Sequence, residues 1–366
     1  MPEVGDRDQS GYSPEERALI WLDSFPLDGG VKRRLLDVAG SGVRLVHAFP
    51  EISSSAVADE GLREKMLSSL SDGGAYFRAA AAALEGEGIA AVTRVSENYP
   101  DSLKGHPDSP FVLYAKGNAA LLKGRMFTIV GSRRTPPPAL KVGERIAKDL
   151  SSAFSVVTGT ADGGDSAALE GALAGSGRAI SVLAGGFGFL PKTNAPLLDR
   201  VVKSGLLLSA HTSSVSVRNF SFAGRNRLLA RLGEGTLVIG AGEKSGALMT
   251  AEDAFREGRP VFALPYFPGT AAGAGCNALL KKGGRLTENS VDICGYFGIN
   301  LSEGPPEEPL TQEEGAALSA LRAGEAHVAE LSARTGIPVF RLLNALSSLE
   351  TKGLAVRLGG NRFSAV

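Results

Sequence analysis

The stretch Thr128-Ile129-Val130-Gly131-Ser132-Arg133-Arg134, followed by Pro136-Pro137-Pro138, decides the architecture of this chain. The apolar run over 127–130 has the length and β-branching of a strand buried on both faces. Glycine ends it, and proline opens a helix over 136–152, because its fixed φ suits the first helical turn. The pattern then repeats. Apolar runs at 154–157, 179–183, 206–208, 237–239 and 261–264 alternate with helical stretches at 162–175, 194–204, 221–232 and 247–257. Units of about 25 residues predict βαβ connections and an α/β fold, an extended Rossmann-like, doubly wound parallel sheet with helices on both faces.

On the N-terminal side, residues 13–85 read as short helices. Ser13-Pro14-Glu15-Glu16 supplies an N-cap, proline in the first turn and acids at the positive end of the helix dipole. Residues 1–95 are assigned to a small helical, SAM-like domain and 96–300 to the Rossmann-like domain, which opens on a turn-rich stretch around one strand-like run at 111–114. The Pro- and acid-rich segment 301–309 reads as a linker. Residues 310–366 begin with the capping-box pattern Thr311-Gln312-Glu313-Glu314. Three helical stretches and a hairpin around Gly359-Gly360 complete a winged-helix layout.

The 366 residues carry 39 Lys+Arg and 39 Asp+Glu, a formal charge of zero. The average hides a division. Residues 1–120 hold 12 Lys+Arg against 18 Asp+Glu, residues 121–300 hold 21 against 13, and residues 301–366 hold 6 against 8. The Rossmann-like part is therefore at +8 between flanks at −6 and −2, and an anionic partner belongs there. Cys276 and Cys294 stand far apart with no CxxC and no nearby His, so no metal or cofactor is expected. The N-terminus is polar and acidic, unlike a signal peptide, and the apolar runs fall short of the roughly 20 residues a membrane span needs. A cytoplasmic protein with no membrane contact is expected.

In parallel sheets, anions bind where strand C-termini meet helix N-termini, because unpaired N–H groups and the helix dipole point there. Three glycine-rich loops occupy such junctions. In the first, Gly131 lets an anion approach the backbone, Ser132 offers a hydroxyl and Arg133 a two-pronged guanidinium suited to phosphate. The second runs Thr158-Gly159-Thr160-Ala161-Asp162-Gly163-Gly164-Asp165, and the third spans 240–250 with Ser245-Gly246. On the 221–232 helix the spacing puts Arg227 and Arg231 on one face and Arg225 near the helix start; with Lys192, Arg200, Arg218, Lys281, Lys282 and Arg285 they either line a phosphate groove or form a solvated basic face. Phe187, Phe189, Phe220 and Phe222 either stack on bases or fill the core. His211 follows the 206–208 strand as a loop histidine or a base. No complete GxGxxG, GxxxxGK[ST], HExxH or GxSxG is present, and no catalytic set is apparent.

The order of these pieces resembles the DNA-processing protein A family (DprA, also called Smf). The resemblance runs through NYPDSLKGHPDSPFVLYAKGNAALL, IVGSRR, VVTGTADGGDSAALEGAL, AISVLAGGFGFLPKTN, LLLSAH, FAGRNRLLARL, TLVIGAGEKSGALMTAEDAFREGRPVFALP and GCNALLKKGG, covering residues 96–290. It implies sequence-independent binding of single-stranded DNA, protection of incoming strands and loading of the RecA recombinase in natural transformation. A homodimer without catalytic activity is implied as well. Gly131, Ser132 and Arg133 are then expected to hold a backbone phosphate. Thr158, Gly159, Asp165, Lys192, Asn194, Arg225, Arg227, Ser245 and Gly246 are expected to line the same groove. This chain departs from the family pattern at Asp162 (Arg in the family), Gly164 (Ile) and Leu169 (His). Ala195-Pro196 follow Asn194 where a basic residue is common, and Ser209-Ala210-His211 replaces a Ser-Glu. Two other readings stay open: a nucleotide-phosphate hydrolase of the lysine-decarboxylase-like type, whose PGGxGT stretch is missing, and a regulatory nucleotide binder. The winged helix, at −2, favours docking over duplex binding.

Overall fold

The apolar runs become strands β1 (Ala90–Thr93), β2 (Val112–Gly117), β3 (Met126–Gly131), β4 (Ser155–Thr158), β5 (Ala179–Val182), β6 (Leu206–Ser209), β7 (Thr236–Gly240), β8 (Val261–Ala263) and β9 (Arg285–Leu286). They form one sheet in the order β1-β2-β6-β5-β4-β3-β7-β8-β9. The computed structural model describes residues 11–218, 221–300, 310–352 and 354–365. The linker read at 301–309 lies outside them. From β6 to β9 the neighbours are parallel, whereas β2 runs antiparallel to β6 and β1 antiparallel to β2. The doubly wound parallel sheet thus carries an antiparallel pair on one edge. Its outermost strand, β1, comes from within the segment 1–95 read as helical.

Helices α1 (Pro14–Ser24), α2 (Gly29–Ala39), α3 (Gly42–Ala56), α4 (Glu60–Ser71) and α5 (Ala75–Gly86) precede the sheet. The crossovers are α6 (Pro137–Leu150), α7 (Gly164–Ala174), α8 (Ala195–Ser204), α9 (Ser221–Leu232) and α10 (Gly246–Arg256), followed by α11 (Ala274–Lys281) and α12 (Ser290–Tyr296). Alternation along β3 feeds two cores. Phe127 and Ile129 join one with Ile146, Phe154 and Leu169, and Met126 and Val130 join the other with Leu228, Leu229 and Ala251. The first core also contains Leu19, Trp21, Leu22 and Phe49, so the N-terminal helices pack into the same apolar layer as the sheet. The Tyr114 hydroxyl of β2 donates to Asp23 Oδ2 of α1 at 2.9 Å.

Residues 302–366 form a separate compact unit. Its described part runs α13 (Gln312–Arg322), β10 (Ala326–His327), α14 (Val328–Thr335), α15 (Val339–Thr351), β11 (Ala355–Leu358) and β12 (Arg362–Ala365), with strand order β10-β12-β11. Leu318, Leu331, Leu342, Leu346 and Phe363 are its buried centre. The capping box is formed, with Thr311 Oγ1 accepting from Glu314 N and Glu314 Oε2 accepting from Thr311 N. Lys352 Nζ also donates to both Glu314 carboxylate oxygens, at 2.9 and 2.8 Å. These bonds, Lys352 first, hold the Glu314 carboxyl down at about 2. The folded value lies below that of the unfolded chain (about 4.3). The stabilisation is therefore complete above the unfolded value and lost as pH falls toward 2. Thermal denaturation of wild type and Glu314→Gln should show a Tm gap in the winged-helix transition that closes over this range. A gap independent of pH counts against the assignment.

Candidate functional site

β3 and β7 are neighbours, but the chain leaves β3 toward β4 and leaves β7 toward β8 on the other side. Their C-terminal ends therefore diverge, and a cleft of about 900 Å³ opens at this switch point. Loops β3–α6, β4–α7 and β7–α10 converge on it, with one face of α9 as a wall.

The β3–α6 loop is tied from within. Ser132 N donates to Gly240 O at 2.7 Å, Ser132 Oγ accepts from Arg134 N at 3.1 Å, and Thr135 Oγ1 donates to Ser132 O at 2.8 Å. The turn leaves Arg133 and Arg134 exposed on the cleft side. The β4–α7 loop lies against it backbone to backbone. A Cβ at Gly131 would stand 2.8 Å from Gly164 Cα, and one at Gly164 would overlap Gly131. Glycine at 164, where the resemblance leads to Ile, is what this close approach requires. Gly163 has φ 83° and supports Ser132 and Arg133 from below.

Asp165 opens α7 with 4% exposure. Its carboxylate accepts from Gly131 N at 3.4 Å and Ala161 N at 3.2 Å, and Oδ2 stands 3.9 Å from Arg225 Nη1. Burial pushes this carboxyl above its ordinary value, and the Arg225 charge opposes that rise. Arg225 Nε donates to Asn226 Oδ1 at 3.0 Å, and its guanidinium lies 5.9 Å from the Phe222 ring centroid. Asn226 Nδ2 in turn donates to Gly246 O at 3.3 Å, joining α9 to the start of α10, which Ser245 Oγ caps through Ala247 N. The cationic side chains lining the cleft are Arg133, Arg134, Arg225 and Lys244, against Asp165 and Glu243.

Of the residues expected from the sequence, Gly131, Ser132, Arg133, Asp165, Arg225, Ser245 and Gly246 line this cleft. Thr158 is buried at the end of β4. Gly159 sits behind the Asp165–Arg225 pair, where any Cβ would collide with both. Asn194 Nδ2 donates to Thr160 O at 3.0 Å and Ser166 Oγ at 3.1 Å, bracing the second loop without lining the cleft. Lys192 and Arg227 are exposed and outside the lining, as is Asp162. Arg231 does not share a basic face with Arg227, because it is buried and pairs with Glu257 at 2.7 Å. Phe222 lines the cleft, Phe187 is in the core, Phe189 is exposed elsewhere, and Phe220 lies outside the described residues. His211 also lies outside the lining, and burial pushes its imidazole below the ordinary value. Asn226, Met249, Thr250 and the Ala271–Ala272–Ala274 wall were not singled out from sequence. Among the described residues no helix is long and apolar enough to cross a membrane, and no group of three or more His, Cys, Asp or Glu is placed to hold a metal.

Residues 90–298 match the family described as DNA recombination-mediator protein A, and residues 302–361 match the DprA winged-helix domain. The chain belongs to the DNA recombination-mediator protein A (DprA/Smf) family. The chain is similar to DNA processing protein DprA of Bacillus subtilis, with 35% identity over 215 residues, 58% of this chain and 72% of that one. The X-ray structure of DNA processing protein A from Streptococcus pneumoniae superposes with a TM-score of 0.65 at 28% identity, over 76% of this chain and 97% of that one. DNA processing protein A from Helicobacter pylori, whose structure addresses its own single-stranded DNA binding mode, superposes with a TM-score of 0.52 at 27% identity, over 57% and 95%. The mostly parallel α/β sheet and the C-terminal winged helix are thus those of this family.

Proposed function

We propose that this DprA-family chain binds single-stranded DNA in the switch-point cleft without regard to sequence. It then delivers the strand to a RecA-type recombinase in natural transformation and recombination, acting as a cytoplasmic homodimer with no turnover of its own. The observation that carries this reading is the convergence of Gly131, Ser132, Arg133, Arg225, Ser245 and Gly246 on one cleft in the +8 segment of the chain. The Helicobacter pylori relative's binding of single strands supports it.

In this reading the Ser132 hydroxyl and Arg133 guanidinium take a backbone phosphate, which gives affinity without sequence information. Phe222 and Met249 give an apolar surface on which any base can rest. Arg225, fixed by Asp165 and Asn226, supplies positive charge to the floor. Thr158, Gly159 and Asn194 act from behind by shaping the second loop. Lys192 and Arg227, on the outside, would meet the strand only as it leaves the cleft.

Fluorescence anisotropy with labelled oligothymidine and duplex DNA over a salt series tests this. Single strands should bind more tightly than duplex. Arg133→Ala should weaken binding about tenfold for every sequence alike and make the log–log salt slope shallower by about 0.7, one contact's share. Wild-type affinity and slope in the variant would remove Arg133 from the phosphate site.

A further inference from the structure

The loop between β8 and α11 holds out the most exposed large apolar side chain among the described residues, Phe267, at 83%. A single apolar side chain on a surface is ordinary. This one differs in how it is held and in what it stands beside. Before it, Tyr266 N donates to Asn277 Oδ1 at 3.0 Å, Tyr266 O accepts from Asn277 Nδ2 at 2.9 Å, and the Tyr266 hydroxyl donates to Ile239 O of β7 at 2.6 Å. The Tyr266 ring covers Gly273, where any Cβ would overlap it. After it, Phe267-Pro268-Gly269-Thr270 closes a tight turn, with Thr270 N donating to Phe267 O at 3.1 Å. Pro268 restricts φ at the second position, and Gly269, at φ 86°, supplies the left-handed third, the pattern of a type II turn. The backbone that carries the ring is fixed on both sides, and the ring itself stays in solvent.

The same segment is one wall of the switch-point cleft. Thr270 is followed directly by Ala271 and Ala272, which line it. Gly275 N donates to Ala241 O at 2.8 Å, and a Cβ at Gly242 would stand 3.2 Å from Ala271 O. The segment therefore lies along the β7–α10 loop, which brings Lys244, Ser245 and Gly246 to the cleft. Phe267 stands at the rim, just outside the lining, on the β8 side. Lys192 follows β5, on the other side of the switch point. A strand held in the cleft and running along the C-terminal ends of the parallel strands toward β8 meets Phe267 as it leaves.

A firmly held, solvent-facing aromatic beside a cationic cleft suits a nucleobase, because every base offers a flat π-face and stacking needs no particular sequence. A preset loop also loses little conformational freedom on binding. We propose that Phe267 is a stacking platform for a base of the strand just outside the cleft. The proposal rests on the strand-binding reading of the cleft and extends the bound length of the strand beyond it. The ring contributes by stacking alone, so its share of the affinity is independent of phosphate charge, in contrast to that of Arg133.

Fluorescence anisotropy of the full-length protein and Phe267→Ala tests this, with labelled oligothymidine and with an abasic strand of the same length and charge. Phe267→Ala should bind oligothymidine about fivefold or more weakly, with unchanged far-ultraviolet circular dichroism. Its log–log salt slope should stay at the wild-type value, since the ring neutralises no phosphate. On the abasic strand the two proteins should bind alike. Phe267→Trp should keep the affinity for oligothymidine. Its emission should be quenched saturably by that strand, measured against wild type, whose one tryptophan, Trp21, is buried. Full oligothymidine affinity in Phe267→Ala, an equal loss on the abasic strand, or an emission from Phe267→Trp that ignores the strand would overturn the proposal. If Arg133→Ala weakens binding while Phe267→Ala does not, the reading of the cleft stands and only this contact falls. A wild-type protein that does not bind oligothymidine removes both.

Discussion

Gly163→Ala is expected to disable the cleft while leaving the sheet folded. Gly163 has φ 83° and ψ −119°, a region that L side chains rarely enter. An added Cβ would also stand 2.6 Å from Ser132 O and 2.9 Å from Arg133 Cα. Backbone strain of about 1–3 kcal/mol and overpacking of similar size make the native arrangement about 2–6 kcal/mol less favourable. The cheaper response is for the Ser132-Arg133 turn to move away. That breaks the bonds from Ser132 N to Gly240 O at 2.7 Å and from Gly164 N to Ser132 O at 3.3 Å, so the phosphate-facing groups lose their aim. Oligothymidine affinity should fall about tenfold or more, the residual binding should show a shallower salt slope, and far-ultraviolet circular dichroism should be retained. Wild-type affinity in a folded variant would mean that the turn is not positioned by its neighbour.

Gly163 is one of several small residues in the second loop, and nothing local in the sequence marks it as the one that positions the cleft. A residue directly after a buried strand shows itself in sequence, because the strand is set by local apolar runs and the turn must be small. Gly131, Ser132 and Arg133 were legible that way. What presses against that turn is decided by tertiary contact between two loops about 30 residues apart along the chain. The Ala271–Ala272–Ala274 wall reaches the cleft only through the fold, and Asn226 was masked by the two arginines beside it. Arg225 and Arg227 are two positions apart on one helix, so they point about 200° apart at 3.6 residues per turn. Arg225 faces the cleft and Arg227 faces solvent.

The sheet divides in the same manner. β3 to β8 coincide with runs whose burial on both faces makes them continuously apolar, and helices α7 to α10 each end within two residues of a glycine. β1 and β9 carry no such pattern. Arg285 and Leu286 of β9 are both exposed and become a strand only by pairing with Phe262 and Ala263. The direction of β2 depends on where the chain re-enters the sheet, which the local pattern at 111–114 does not encode.

Arg225→Ala should cost more than any other single truncation of a charged residue in the cleft. The side chains of Arg225 and Asp165 are 9% and 6% exposed, and the guanidinium is the cation facing this carboxylate, at 3.9 Å. Removing it leaves a buried carboxylate without its facing cation, held by hydrogen bonds such as those from Gly131 N and Ala161 N, a loss of about 3–5 kcal/mol. The loss must depend on pH. Burial already pushes the Asp165 carboxyl up, and without Arg225 it rises further, above the value of about 3.9 it has in the unfolded chain. A carboxyl raised in the folded state is penalised only when ionised. The deficit is therefore absent below the unfolded value and grows as pH rises toward the folded one. Asp165→Asn removes the charge instead, so Arg225→Ala/Asp165→Asn should recover most of the stability. Urea denaturation of the three variants and wild type at about pH 5 and about pH 8 reads this as a double-mutant cycle. The coupling should be larger at the higher pH. A double variant as unstable as Arg225→Ala at both values would mean that Arg225 holds the cleft through Asn226 and Phe222 and not through Asp165.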